Sequence, residues 1–384
     1  MRRCVSTGAR MVLVALLMVA DIHNSAAASG DANFTVAAAG FAWAENLICV
    51  AEARALFVSE NKRGELWRVT WDGSRYSQSL MAAVSSDFEL FAGLATDEAT
   101  GQLYALGNRK LKLSGRSSCV LIEVNTSSAC DEACSAAYRE IATLPRACLG
   151  DGLALDASHF YSANEGSFVP LRGLVFRIDR HDRKDLSSAS HSSREPEYIL
   201  LYSPLDSVHS LPERSVVCDC TRVRNAGGSL PEAIIDHSFA DDGVALDPPR
   251  GLVYISEVAS PTHNVLVYNA TARTLVRTLK PRGVHMLDDF TLSADGTELI
   301  GADFGGGRVV AFPVLGSSVP HARTLLSGVT SPTSVRRGCV PVDDARPGVE
   351  GLGEDMLFVS EGGALSRTST DRRVLAFRMK SLSE

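Results

Sequence analysis

Residues 241–258 read DDGVALDPPRGLVYISEV. Acids and a glycine open the stretch, apolar and small residues run through it, and Pro248, Pro249, Arg250 and Gly251 break it midway. Short apolar runs bounded by Pro and Gly read as strands joined by a turn. The same pair recurs along the chain. Copies of the first strand are AENLICV (44–50), FAGLATD (91–97), GDGLALD (150–156), DDFTLSAD (288–295) and SPTSVRRG (331–338). Copies of the second are ALFVSEN (55–61), QLYALGN (102–108), HFYSANEG (159–166), ELIGADFGG (298–306) and MLFVSEGG (356–363). A third strand follows each pair, as in GELWRVTWDG (64–73), GLVFRIDR (173–180) and RVLAFRMK (373–380).

Six repeats of about 45 to 60 residues, each with three or four antiparallel strands, predict an all-β, six-bladed β-propeller. No blade can bury its apolar faces alone, and stacking six in a ring buries them all. A β-sandwich or two tandem barrels would leave the sixfold recurrence unexplained. The last repeat ends at RVLAFRMKSLSE with little chain left for an outermost strand, and NFTVAAAGFAW (33–43) is placed to supply it from the N-terminus. Such a clasp would pair an otherwise open edge. Two long connections stand out: a polar insertion at about 181–237, rich in Ser and charge, and residues 338–355 inside the last blade.

The first residues, MRRCVSTGARMVLVALLMVADIHNSAAASG, combine arginines, a short apolar run and a small-residue cleavage site. They read as a secretory signal peptide over 1–28, followed by one propeller domain over 29–384. An uncleaved anchor is the alternative; no later stretch is long enough to span a membrane. Three arginines and Asp21 leave with residues 1–28, which takes the formal charge from −7 to −9. That acidity speaks against a nucleic-acid partner. The eight cysteines beyond Cys4 suit disulfides in an exported chain, with Cys119, Cys130, Cys134 and Cys148 grouped around one connection. A zinc reading of the cysteines lacks the His/Cys spacing it needs. Asn33, Asn125 and Asn269 head N-glycosylation sequons.

The first strand of a propeller blade lines the central channel, so residues at its start converge at one mouth. Glu45, Asp151, Asp241, Asp242, Asp288 and Asp289 hold such positions. Asp and Gly also serve wherever a loop turns into a strand, and for any one of these acids that reading competes. Taken together, the doubled acids and Glu45 point to a divalent cation held between carboxylates. Calcium is the first choice because it tolerates irregular oxygen geometry, with zinc, magnesium or manganese as alternatives. His285 lies close enough to Asp288 in sequence to serve as a proton shuttle or as a plain loop residue.

These residues carry a resemblance. AENLICVAEARALFVSENKRGELWRV resembles the opening blade of the regucalcin/gluconolactonase propellers, DDGVALDPPRGLVYISEV their "NGL" segment, and LDDFTLSADGTELIGADFGGGRVVAF the "DG" blade that follows. The likeness spans roughly residues 40–378. It implies Glu45, Asp242 and Asp289 as metal ligands, Asp289 also as the general base, and Asp151 as a substrate or water contact. It further implies hydrolysis of a small lactone or sugar-derived ester, the cation polarising the carbonyl. Two departures stand out: Asp242 replaces the family's asparagine, and Gly150 stands where "NDG" would place another. A secreted, calcium-stabilised propeller acting as a binding platform is the competing reading, since fold does not decide function. Paraoxonase-like and strictosidine-synthase-like arrangements share the fold and match these acids less well. DFGG (303–306) reads as a hairpin turn, no G-x-S-x-G elbow is present, and Trp43, Trp67 and Trp71 read as packing residues.

Overall fold

The computed structural model describes residues 34–83, 88–109, 118–125, 138–146, 150–168, 171–180, 232–238, 241–258, 264–341, 350–363 and 372–379. Its strands form six four-stranded antiparallel sheets. The inner strands are Ala44–Val50, Phe88–Asp97, Gly150–Leu155, Asp241–Asp247, Leu287–Leu292 and Pro332–Arg337. Each contacts the next, and the sixth returns to the first. The chain is therefore an all-β, six-bladed propeller. Among the described residues no helix is long and apolar enough to cross a membrane.

Alternation along the strands builds the ring. In blade one, Leu56 and Val58 pack towards blade six while Ala55 and Phe57 pack towards blade two. Successive side chains leave a strand on opposite faces, so one apolar run serves two interfaces. The described residues give one buried cluster for each of the six neighbouring blade pairs. This explains why the second strands read as continuous apolar runs: Ala55–Glu60 and Met356–Glu361 are buried throughout.

Closure of the ring follows the sequence expectation. Thr35–Ala39 pairs antiparallel with Arg373–Arg378 as the outermost strand of blade six. A disulfide, Cys49–Cys339, adds a covalent tie between blades one and six across a sequence separation of 290. Nothing in the spacing of the cysteines singled out that pair. Of the segment 338–355, Val340 and Leu352 pack into the same junction, and residues 342–349 lie outside the described residues. There Glu350–Leu352 forms a 3-10 turn, and the Tyr76 hydroxyl donates to the Gly351 carbonyl at 2.6 Å. A Cβ on Gly351 would come 2.4 Å from the Trp71 ring, so this segment presses directly onto blade one.

One boundary differs from its sequence reading. Glu232–Ser238 is the fourth strand of blade three, paired with Leu171–Asp179, although it lies within the stretch read as insertion. Its EAIIDHS pattern is short and borders a Ser-rich run, so the polar surroundings masked a strand signal. The remainder, 181–231, lies outside the described residues. So do the signal-peptide segment 1–28, the Asn33 sequon, and Cys130, Cys134, Cys148, Cys218 and Cys220. Cys119 is buried in the cluster between blades two and three.

Every inner strand carries a bulge near its start, which in blade two lies between Phe91 and Leu94. Ala44 faces Glu60 and Leu47 faces Val58, so Glu45 and Asn46 together oppose Ser59. Shifts at the same place occur in blades two to six. A bulge sets two residues against one and re-aims both side chains. Bulge-first residues are Glu45, Ala92, Asp151, Asp242, Asp288 and Thr333; bulge-second residues are Asn46, Gly93, Gly152, Gly243, Asp289 and Ser334. The recurrent serine of the second strand caps three of these bulges. Asn46, Gly243 and Ser334 donate their backbone N–H to Ser59, Ser256 and Ser360 at 2.9, 2.7 and 2.9 Å. Two of those hydroxyls then donate onward to the next blade, Ser256 to the Asp288 carbonyl and Ser360 to that of Glu45, each at 2.7 Å. The bulges are thus stitched to one another around the channel.

Candidate active site

The register sorts the acids into two populations. Acids ending the first and second strands do structural work. Asp156 accepts the backbone N–H of Ser158 and of His159, both at 2.7 Å, and Asp97 and Asp247 receive equivalent bonds in their own turns. Glu60 and Glu361 pin the loops leading into inner strands, accepting from Trp43 N at 2.8 Å and Thr330 N at 2.7 Å. These are the turn roles that Asp favours. The bulge-first acids stand instead at the start of the inner strands, where the blades meet around the channel.

Glu45, Asp151, Asp242 and Asp288 therefore occupy one equivalent position in four blades and share the channel mouth. Close packing holds them there. A Cβ on Gly152 would lie 1.9 Å from the Asp242 carbonyl, and one on Gly243 2.7 Å from that of Asp288. Only glycine as bulge-second residue lets neighbouring backbones approach so closely. Glu45, Asp242 and Asp288 are buried, and Asp151 is half-buried.

Burial first, and the Glu45 carboxylate next, push the Asp151 and Asp288 carboxyls well above the ordinary range. Asp242 works in the other direction by sharing a side-chain hydrogen bond with each. That hydrogen bond favours the charged forms of Asp151 and Asp288, as a bond they accept does, and burial together with Glu45 outweighs it. The consequence for stability has a definite sign. In the folded state these groups hold protons that the unfolded chain has already released. Their contribution is full below the ordinary carboxylate range and is lost as pH rises through the raised folded values. With chelator present, the melting temperature should fall across the pH window that starts at the ordinary carboxylate range and runs upward from it. Asp151→Asn should flatten that slope, and a wild-type melting temperature that climbs across this window would refute the arrangement.

Asp289 behaves differently from Asp288. It is the bulge-second residue, is fully buried, and its carboxylate is already partnered. Arg336 Nη2 lies 2.7 Å from Oδ2, the Ser334 hydroxyl donates to the same oxygen at 2.6 Å, and the Phe290 N–H donates to Oδ1 at 2.8 Å. Arg336 also donates to the carbonyls of Phe290 and Val335. His285 points elsewhere: its Nδ1 is 3.3 Å from Asp303 Oδ2 and 3.2 Å from Arg308 Nη2. Asp303 takes the loop-pinning place held elsewhere by Glu60 and Glu361, which explains why His285 is tied to it. Asp241 opens its strand opposite Glu257, and its side chain lies outside the described residues.

Several residues at the mouth carried no functional assignment from the sequence. Trp43 Nε1 donates to Glu45 Oε2, and Asn61 Nδ2 lies 3.3 Å from the same oxygen, so Trp43 serves the site as well as packing. Asn46 is 1% exposed and reaches from blade one to blade three, where its Nδ2 is 3.4 Å from Asp151 Oδ1. A doubled polar pair, Glu45–Asn46, was the available signal, parallel to Asp288–Asp289. For Arg336 the signal was its two-residue offset from Ser334, which puts both on one strand face.

A hard dication is the group that the family resemblance implies. The donor chemistry fits: four carboxylates and one carboxamide, and the Asn46 Oδ1 is buried without a hydrogen-bond partner among the described residues. As placed, no three His, Cys, Asp or Glu side chains among the described residues close on one point as cation ligands. Ligation would require these side chains to turn further inward.

No family model matches the sequence, and no curated protein matches it. Solved structures do match in fold. A luciferin-regenerating enzyme superposes with a TM-score of 0.56 at 11% identity, covering 91% of this chain and 98% of that one. A gluconolactonase from Xanthomonas campestris gives 0.55 at 11%, covering 91% and 90%. The major Malassezia sympodialis allergen Mala s 1 gives 0.52 at 11%, covering 92% and 97%. At such identities the likeness is one of fold. The neighbours include the gluconolactonases that the sequence resembles.

Proposed function

We propose that this chain is an exported hydrolase of lactone-type cyclic esters that works with a divalent cation, calcium in the first instance. The observation that carries this reading is the equivalence of Glu45, Asp151, Asp242 and Asp288. Four carboxyls at one bulge position, two driven towards protonation, suit a place where positive charge is received. Glu45, Asp151, Asp242 and Asp288 would hold the ion, which supplies electrophilic polarisation of the ester carbonyl. Glu45 is oriented by Trp43 and Asn61. Asp288 takes the proton of the attacking water, a role for which its bulge-first place suits it better than Asp289. Asp289, held by Arg336 and Ser334, supports the neighbouring backbone. Blade closure fixes the backbones that carry these groups, so only their side chains would turn to take the ion.

A second reading, a non-catalytic binding platform, is favoured by one observation: the acids as placed do not close into a ligand set. One experiment separates the two. Proton release from a panel of simple lactones is followed with calcium, with chelator, and after calcium is restored. The hydrolase reading expects turnover that disappears on chelation and returns with the ion. No turnover with calcium, zinc, magnesium or manganese would sink it and leave the platform.

A further inference from the structure

The buried amide of Asn46 is the group at the mouth that the roles above do not use. Its neighbour in the ring, Ala92, projects only a methyl at the bulge-first position of blade two. That leaves room for the Asn46 side chain to cross from blade one to Asp151 in blade three. The orientation of the amide is settled by its partner. With Asp151 ionised, as a cation ligand must be, turning it over would set the oxygen against a carboxylate oxygen and forfeit the one side-chain hydrogen bond it makes. The nitrogen therefore faces Asp151, and Oδ1 is left buried, with no donor among the described residues. Leaving a buried carbonyl oxygen unmatched carries the full desolvation penalty of that group. Buried polar atoms are otherwise almost always satisfied, and exceptions mark a missing water or ion.

We infer that the Asn46 carboxamide oxygen is a ligand for a hard divalent cation at the channel mouth, the one neutral donor in a set otherwise made of carboxylates. The inference rests on the cation reading above and extends it to a residue that neither the repeat nor the resemblance marked. Chemistry favours the assignment. Calcium commonly combines carboxylates with neutral carbonyl oxygens, from backbone or from Asn and Gln. A neutral ligand adds coordination without adding a further charge to a mouth already crowded with acids. The same amide would fix the Asp151 carboxyl through its N–H, so one side chain would orient a neighbouring ligand and coordinate in its own right.

Two substitutions separate coordination from mere positioning. Asn46→Leu keeps the branched outline, with bulkier tips, and removes both polar atoms. Asn46→Asp keeps an oxygen donor and removes the N–H donated to Asp151. Calcium binding to the full chain is read by isothermal titration calorimetry, with the calcium-free melting temperature as a check on folding. If the oxygen coordinates, Asn46→Leu weakens binding by about 10–100-fold, whereas Asn46→Asp keeps or exceeds wild-type affinity because it adds charge. Equal weakening in both variants would mean that only the N–H to Asp151 matters, which overturns the inference. Wild-type affinity in Asn46→Leu would overturn it too, as would a wild-type chain that binds no calcium. Turnover is measured separately: calcium bound without hydrolysis would sink the hydrolase reading and leave this one standing.

Discussion

Asp288→Asn is expected to abolish lactone turnover and to stabilise the protein at the same time. The two effects have one origin. Asp288 is buried among Glu45, Asp151 and Asp289, all of which disfavour its charged form. Asparagine keeps the shape and removes the charge, so in chelator the variant should melt higher than wild type at neutral pH. It cannot accept the proton of a water, so the rate should fall by about 10²–10⁴-fold, the usual worth of a positioned general base. A site that stores unfavourable charge for its chemistry commonly shows this opposition of activity and stability. Asp289→Asn provides the contrast. It weakens an ion pair at the blade five–blade six junction, so it should destabilise while sparing most of the turnover. If Asp289→Asn were the inactive variant and Asp288→Asn retained activity, the assignment by bulge position would be wrong. The assignment implied by family resemblance would then stand.

That contrast also shows how far the sequence could be read. The blades were legible because one apolar strand must serve two interfaces, and this forces the same pattern six times. The clasp was legible because the last repeat lacked a strand. Which member of a doubled acid faces the mouth was not legible. Asp288 and Asp289 are adjacent, and the choice depends on a bulge that only the pairing of Leu287 with Asp303 and Phe290 with Gly301 reveals. In blade four the glycine after Asp242 hid the same ambiguity. Asn46 was passed over for a related reason: beside Glu45 it looks like an ordinary polar neighbour until its reach to Asp151 is seen. The Cys49–Cys339 bond joins positions near opposite ends of the chain, and ring closure, not local spacing, brings them together. Glu232–Ser238 was lost in its polar surroundings because a lone outer strand has no partner in its own sequence.

Arg336→Met is expected to give the largest loss of stability of any change at the site. The Arg336 side chain is 10% exposed and that of Asp289 1%, so removing the cation strands a charge away from water. Breaking a buried pair from one side costs about 3–5 kcal/mol, much of it the penalty on the partner left behind. The Ser334 hydroxyl and the Phe290 N–H would still donate to Asp289, which keeps the loss from being larger. The carbonyls of Phe290 and Val335 would lose a donor as well. Neutralising the partner should return part of the loss, because the carboxamide that Asp289→Asn introduces carries no charge and can still accept from Ser334. The double-mutant cycle of Arg336→Met with Asp289→Asn, read from urea midpoints at unchanged slope, should therefore show a coupling of about 2 kcal/mol or more. Coupling of that size means that Arg336 and Asp289 form one unit, which ties blade five to blade six. It also means that Asp289 is already committed when a substrate arrives, and Asp288 is then the carboxyl left to accept a proton. Independent, additive losses would mean that Arg336 does not hold Asp289, and the case for Asp288 over Asp289 would lose its electrostatic half.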